Sequence, residues 1–317
     1  MSNETLTAIP GLLAGHATDA ENGTGCTVIL CPEGFTPGIA VPGFAPGTRE
    51  TDLMRPEALA DAVHGILLTG GSAFGLAAAE GVVRWLRERN YGYPTRCGNV
   101  PLVPGAVIYD LDTNRKPGLL PDAAMGYAAA LAAGEHPVGQ GRVGAGTGAR
   151  CGRLFGMSDP ARTSPGGVGA SLVERRGIQL AALVVVNALG DVYDPDTGEW
   201  LAGGVDQNGR PFSREAGLAV LAAGDAPKNN TVLTVVATNA PLDKTRASRL
   251  ARMAGAGLAR AVKPAHLTVD GDVVFALSSK RRLPDSAGPW TDNLLGALGA
   301  EAVALAAANA VRKTLQE

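Results

Sequence analysis

Short apolar runs suited to strands alternate along this chain with stretches whose apolar positions recur every three or four residues, the period of a helix. Residues 26–31 and 37–41 read as strands separated by Pro and Gly, and Gly65–Thr69 as a short apolar strand. That strand runs through Gly70-Gly71-Ser72 into a helix ending near Arg89. Pro101–Leu111 is predicted as a strand and Pro121–Ala133 as a helix. Val168–Glu174 and Gln179–Val186 predict a hairpin around Gly177, and Asp194–Gly198 has the composition of a turn. A polar region over 203–230 contains one apolar stretch, Ala216–Ala223. It ends in Asp225-Ala226-Pro227-Lys228-Asn229-Asn230, where Pro and paired Asn predict an exposed loop. Thr231–Thr238 (TVLTVVAT) follows at once and is the most strand-like run in the chain. Pro241–Val262 predicts an amphipathic helix, His266–Ser278 a hairpin turning at Asp270-Gly271-Asp272, and a C-terminal helix follows Pro289.

Composition changes this picture little. The 317 residues, 45% hydrophobic and 18% charged, suit a globular protein with a large core in one or two domains. The 43 glycines and 4% aromatic content predict closely approaching backbones rather than large aromatic plugs. A net charge of -2 gives no pull toward nucleic acid or an acidic membrane. Lys244, Arg246, Arg249, Arg252, Arg260 and Lys263 form a basic run, read as a solvated helix face. Cys26, Cys31, Cys97 and Cys151 show neither disulfide-framework nor zinc-site spacing, so buried reduced thiols of a cytoplasmic protein are expected. The first 25 residues carry no signal-peptide pattern, and no run approaches the ~20 apolar residues of a membrane span. The Ala-rich stretch near Ala297–Ala310 reads as a packed helix.

Conventional catalytic motifs are missing. Gly139-x-Gly141-x-x-Gly144 and Gly144-x-Gly146-x-x-Ala149 fit a dinucleotide pattern only loosely, without the required strand and long helix. Gly70–Gly75 lies between strand and helix and reads as a packing turn, an anion cradle being the alternative. There is no Gly-x-Ser-x-Gly elbow and no His-Glu-x-x-His, and His16, His64, His136 and His266 are scattered and read as structural or surface residues. What remains is a nucleophile that carries its own base. If Thr231 becomes a chain terminus, its α-amine, with a pKa of about 7.7–8.0, can take the hydroxyl proton at neutral pH. Loop and strand at 230/231 suit such a cleavage, but local sequence alone favours an ordinary strand that begins with Thr.

Ordered motifs over nearly the whole chain decide further. They are Pro46-Gly47-Thr48-Arg49-Glu50-Thr51-Asp52, Leu67–Gly75, Ala106-Val107-Ile108-Tyr109-Asp110 and Gly144–Ala149, then Gly166–Gly169, Val185-Val186-Asn187, Asn230-Thr231 through Thr238-Asn239, and Asp270–Ala276. With these the chain resembles the self-processing serine/threonine aminopeptidases, a family that includes L-aminopeptidase/D-amino-acid-amide esterases, β-peptidyl aminopeptidases and nylon-oligomer endohydrolases. The resemblance implies an α+β fold, a four-layer αββα sandwich similar to that of the ornithine acetyltransferases. It implies one domain over 1–317, cut into 1–230 and 231–317, and a homo-oligomer of four or more copies. It implies no cofactor and no metal, with a small peptide or amide as partner. By position, Thr231 matches the nucleophile and Asn230-Thr231 the cleavage site. Asn187 matches an oxyanion donor, Tyr109 a hydroxyl donor in the pocket, and Asp270 and Asp272 the pair that orients the nucleophile and its amine. Arg153 stands where nylon-oligomer members carry Lys; Arg keeps its charge where Lys could lose its proton. An acyltransferase on the same scaffold and an uncleaved small-molecule-binding protein are the alternatives. A carboxylate beside the new ammonium would hold it in place yet raise its pKa, which opposes its use as a base.

Overall fold

The computed structural model describes residues 3–113, 116, 118–154, 160–212, 214–224, 230–279 and 291–316. Nine strands form its centre: β1 (Leu13–Asp19), β2 (Thr24–Ala40), β3 (Thr48–Arg49), β4 (Val63–Thr69), β5 (Gly105–Val107), β6 (Gly167–Arg175), β7 (Ile178–Asn187), β8 (Thr231–Thr238) and β9 (Val273–Ser278). They run in the order β6-β7-β8-β9-β2-β4-β5-β3, with β1 also on β2. Pairing is antiparallel except for β8 with β9 and β4 with β5. The long β2 joins two sheets. Its first part pairs with β1 and β4, a register shift intervenes between Leu30 and Phe35, and Thr36–Ala40 pairs with β9.

Period-2 alternation then builds the layers. On β7, Leu180, Ala182, Val184 and Val186 pack with α4 (Lys244–Ala261) and α5 (Thr291–Thr314), through Leu250, Ala254, Leu258, Leu298 and Ala302. The intervening Ala181, Leu183 and Val185 face the other sheet, meeting Ile29, Ile66, Leu68 and Ile108 in a core between the sheets. The far face of that second sheet, Val28, Leu30 and Leu67, packs on α1 (Ala79–Glu88) and α2 (Ala123–Leu131). Helices, sheet, sheet, helices: this is the expected four-layer αββα sandwich. A further helix, α3, spans Arg214–Ala222.

Several expectations change. The two predicted strands at 26–31 and 37–41 are one 17-residue strand, because a bulge absorbs the Pro and Gly between them. Pro101–Leu111 supplies only the three residues of β5. His266–Ser278 is no hairpin: one strand, β9, lies beside β8, and Asp270–Asp272 enters it instead of turning back. Lys244 is buried rather than solvated, its ammonium donating to the carbonyls of Leu53, Ala58 and Ala60 at 3.0, 2.8 and 3.0 Å. Cys97 is exposed, while Cys26, Cys31 and Cys151 are buried. The expected loop over 225–229 lies outside the described residues, and Asn230, read with it as exposed, is buried beside the 270–272 segment. Among the described residues α5 is the one helix long and apolar enough to cross a membrane, and two-thirds of its apolar window, 67%, is buried against the sheet and α4. The hairpin around Gly177 and the strand Thr231–Thr238 stand as predicted.

Candidate active site

The parallel pairing of β8 with β9 decides what meets Thr231. Parallel strands start at the same end of a sheet, so the segment entering β9 lies beside the start of β8. Leu233 is level with Val273, and Asn230 forms a bridge with Asp270. On the other side β7 runs antiparallel, which brings its last residue, Asn187, opposite Thr231. Two sequence-distant segments, the entry to β9 and the end of β7, therefore converge on the 230/231 bond. Thr231 itself is only 6% exposed.

The Asn230 carbonyl is held from two directions. The Thr231 hydroxyl donates to it at 2.6 Å, and the Gly271 backbone N–H donates to it at 2.9 Å. Gly271 is required there for space, because a Cβ on it would stand 2.6 Å from Thr231 Oγ1 and 2.7 Å from the Ala45 carbonyl oxygen. The carbonyl of Asp270 in turn accepts from Phe44 and Ala45 N–H at 2.8 and 2.9 Å, which fixes this segment against the chain leaving β2.

The two carboxylates have different work. Asp272 Oδ1 accepts the Val232 N–H at 2.7 Å, so it clasps the residue after Thr231 rather than the Thr231 hydroxyl. Its Oδ2 accepts from the backbone N–H of His266 at 3.2 Å and lies 2.8 Å from His266 Nδ1. That hydrogen bond raises the pKa of His266 above its ordinary value, against the effect of burial. Asp270 Oδ2 accepts the Leu267 N–H at 2.7 Å. Burial, and then the neighbouring Asp272 charge, push the Asp270 carboxyl up to about 7.

Asn187 is fully buried. Its Oδ1 accepts the Arg150 N–H at 3.1 Å, which orients the amide and aims Nδ2 at the Tyr109 carbonyl, 3.1 Å away. Tyr109 thus enters the network by its backbone oxygen. Arg153 reaches the same carbonyl at 3.4 Å through Nη2 and pairs with both oxygens of Asp112 at 2.6 and 3.2 Å. Its Nε has no hydrogen-bond partner among the described residues. A bidentate guanidinium at this place acts as a fixed charge and donor, not a proton carrier.

All the predicted residues are therefore in one connected region, Asp270 and Asp272 at one flank of Thr231, Asn187, Tyr109 and Arg153 at the other. Sequence reasoning missed Gly271, Asp112 and His266. Only a weak signal marked the histidine, which stands four residues ahead of Asp270. The Gly70-Gly71 turn is confirmed as packing: Asp110, buried and with its pKa raised by that burial, accepts the Gly71 N–H at 2.6 Å and the Thr24 hydroxyl at 2.7 Å.

Solved structures share the helix-sheet-sheet-helix sandwich. The L-aminopeptidase D-Ala-esterase/amidase of Ochrobactrum anthropi, described as a variant of the Ntn hydrolase fold, aligns over 97% of this chain and 85% of its own with a TM-score of 0.72 at 21% identity. A β-aminopeptidase of Burkholderia sp. aligns over 98% and 86%, with a TM-score of 0.70 and 24% identity. The chain belongs to peptidase family S58, whose profile matches residues 4–316, and is a hydrolase of peptide or amide bonds. An uncharacterized aminopeptidase of Mycobacterium leprae is 43% identical over 87% of this chain and 78% of its own length. A 6-aminohexanoate-oligomer endohydrolase of Kocuria sp. is 32% identical over 92% and 81%.

Proposed function

We propose that this hydrolase matures by cutting itself between Asn230 and Thr231 and then uses Thr231 as its nucleophile. The observation that carries the reading is the Asn230 carbonyl, held by a backbone N–H of Gly271 at 2.9 Å with the Thr231 hydroxyl at 2.6 Å. As Thr231 Oγ1 attacks the Asn230 carbonyl carbon, negative charge grows on an oxygen that already has a donor. The C–N bond then breaks, the hydroxyl proton passes to the departing nitrogen, and an Asn230 ester remains. Water opens that ester, leaving a carboxyl terminus at 230 and a free Thr231 with hydroxyl and amine on one Cα.

In the mature enzyme the same hydroxyl attacks a substrate amide, the α-amine takes its proton and returns it to the leaving amine, and water hydrolyses the acyl ester. Asn187 Nδ2, held in orientation by Arg150, supplies a donor beside the nucleophile, and Arg153 fixes the Tyr109 backbone on which that amide rests. Asp270 and Asp272 hold the new terminus. Aminopeptidase action and cleavage of ω-amino oligomers are both consistent with the relatives, and a panel of amino-acid amides and 6-aminohexanoate oligomers separates them. The homo-oligomer is checked by light scattering of purified protein. All four cysteines are free thiols, which supports a reducing, cytoplasmic setting.

The decisive experiment is intact mass and N-terminal sequencing of purified protein and of Thr231→Ala. Wild type is expected as two fragments, the smaller beginning Thr-Val-Leu-Thr, and the variant as one uncut, inactive chain. Normal two-fragment maturation of Thr231→Ala refutes the reading. Turnover that passes the acyl group to an added amine rather than to water would make the protein an acyltransferase.

A further inference from the structure

The carboxylates that hold the new terminus create a difficulty of their own. Thr231 lies level with Gly271, with Asp270 and Asp272 before and after it along the neighbouring strand, and Asp272 Oδ1 takes the N–H of the next residue, Val232, at 2.7 Å. The Asp272 charge, joined by Asp270 once the carboxyl that burial pushes up to about 7 has ionised, favours the ammonium form of the released amine, and an ammonium takes no proton from the hydroxyl. The site needs a compensating positive charge that does not itself occupy the place of the substrate.

His266 is built to supply it. Its imidazole Nδ1 lies 2.8 Å from Asp272 Oδ2, while the other oxygen of the same carboxylate takes the Val232 N–H at 2.7 Å. The backbone N–H of His266 adds a second bond to Oδ2 at 3.2 Å, so Asp272 is gripped by the histidine on one side and by β8 on the other. The ring stands outside the Thr231 site. It lines a separate cavity of about 370 Å³ with Pro42, Ala251, Arg252, Gly255 and Val274, and its side chain is 23% exposed. Charged groups facing it are Asp272 and Asp270 from its own segment and Arg252 from α4; β2 and β9 contribute only apolar residues to that cavity. Of these, Asp272 bonds the ring directly.

We propose that His266 is a positioning residue that fixes the Asp272 carboxylate and, as an imidazolium, cancels its charge, so that the amine exposed at Thr231 serves as a base near neutral pH. The inference rests on the self-cleavage reading and deepens it. Asp272 then works as a neutral pair with His266 and holds the strand by a hydrogen bond without pinning the amine as ammonium. The raised pKa of His266 agrees with that pairing.

His266→Asn tests it, because the Asn amide can keep the hydrogen bond to Asp272 and removes only the charge. The readout is the pH midpoint for acetylation of the Thr231 amine by trace acetic anhydride, read by mass on the N-terminal peptide of the smaller fragment. The α-amine of an added short peptide serves as reference. The midpoint is expected to rise by about one unit in the variant, so that labelling at neutral pH falls about tenfold, and the pH profile of amide hydrolysis moves up with it. A cleaved His266→Asn protein with the wild-type midpoint overturns the role of His266 and leaves the self-cleavage reading standing. A wild-type chain that never shows a Thr231 terminus defeats that reading instead. Should the variant fail to fold, carbon-13 NMR titration of His266 in wild type decides: a midpoint above that of a free histidine is expected, and one at or below it overturns the proposal.

Discussion

A single missing side chain does much at the 230/231 bond. Gly271 presents its N–H to the Asn230 carbonyl because nothing on its Cα crowds the Thr231 hydroxyl. Gly271→Ala is expected to slow maturation at least tenfold, measured as the ratio of uncut to cut chain over time, while the protein still folds. Asn187 is the second test at this scale. Removal of one oxyanion donor commonly costs about 10²–10³ in kcat, so Asn187→Ala should lose activity of that order with a smaller change in KM. Its Oδ1 also holds the Arg150 N–H, so some loss of stability should accompany the change. Asp270 gives a pH test. Its folded pKa of about 7 lies above the ordinary 3.8, so the folded state binds this proton more tightly than the unfolded one. The stabilising contribution is therefore complete below about pH 4 and is lost as pH rises through 7. In an uncleavable Thr231→Ala background, Asp270→Asn should flatten the fall in urea midpoint between pH 5 and 8. A residual slope from His266 should remain, since its raised pKa acts with the same sign.

Among the elements, α4 carries a second hidden charge. Lys244, in its first turn, sends its ammonium into a cage of three carbonyl oxygens from the segment 53–60. Asp243 caps the same helix, its side chain accepting the Arg246 N–H at 2.8 Å. If the chain is cut at 230, this cage joins one fragment to the other. Lys244→Met would leave buried acceptors without a donor and should destabilise the protein by roughly 2–3 kcal/mol, read from the urea midpoint. The element reading from sequence did well where one period ran unbroken. Thr231–Thr238 and the Gly177 hairpin needed only local propensity and a turn residue, whereas the long β2 was split in two because a bulge looks like a break.

For the whole molecule, the strand order predicts how a cut protein behaves. β8 and β9, both after residue 230, lie between β7 and β2, both before it. The α4 and α5 helices then cover the sheet made jointly by the two parts, in one buried apolar core. The fragments 1–230 and 231–317 should therefore co-migrate on native gel filtration and separate only in denaturant.

The amino-acid order alone carried the family, a hydrolase of peptide or amide bonds, and named the candidate residues. A Thr at the start of the strongest strand and the Asp-Gly-Asp ahead of β9 are properties of local sequence, while Asn187, Tyr109 and Arg153 are picked out by the family resemblance that the ordered motifs carry. Only the folded chain decided how those parts are joined: which carboxylate meets the His266 ring, that Gly271 serves the Asn230 carbonyl, and that Tyr109 contributes a backbone oxygen. Each of those contacts depends on register between strands far apart in the chain, on a pairing direction and a bulge. A local pattern repeats unchanged through shifts of register, so it carries no information about which distant residue comes to stand opposite.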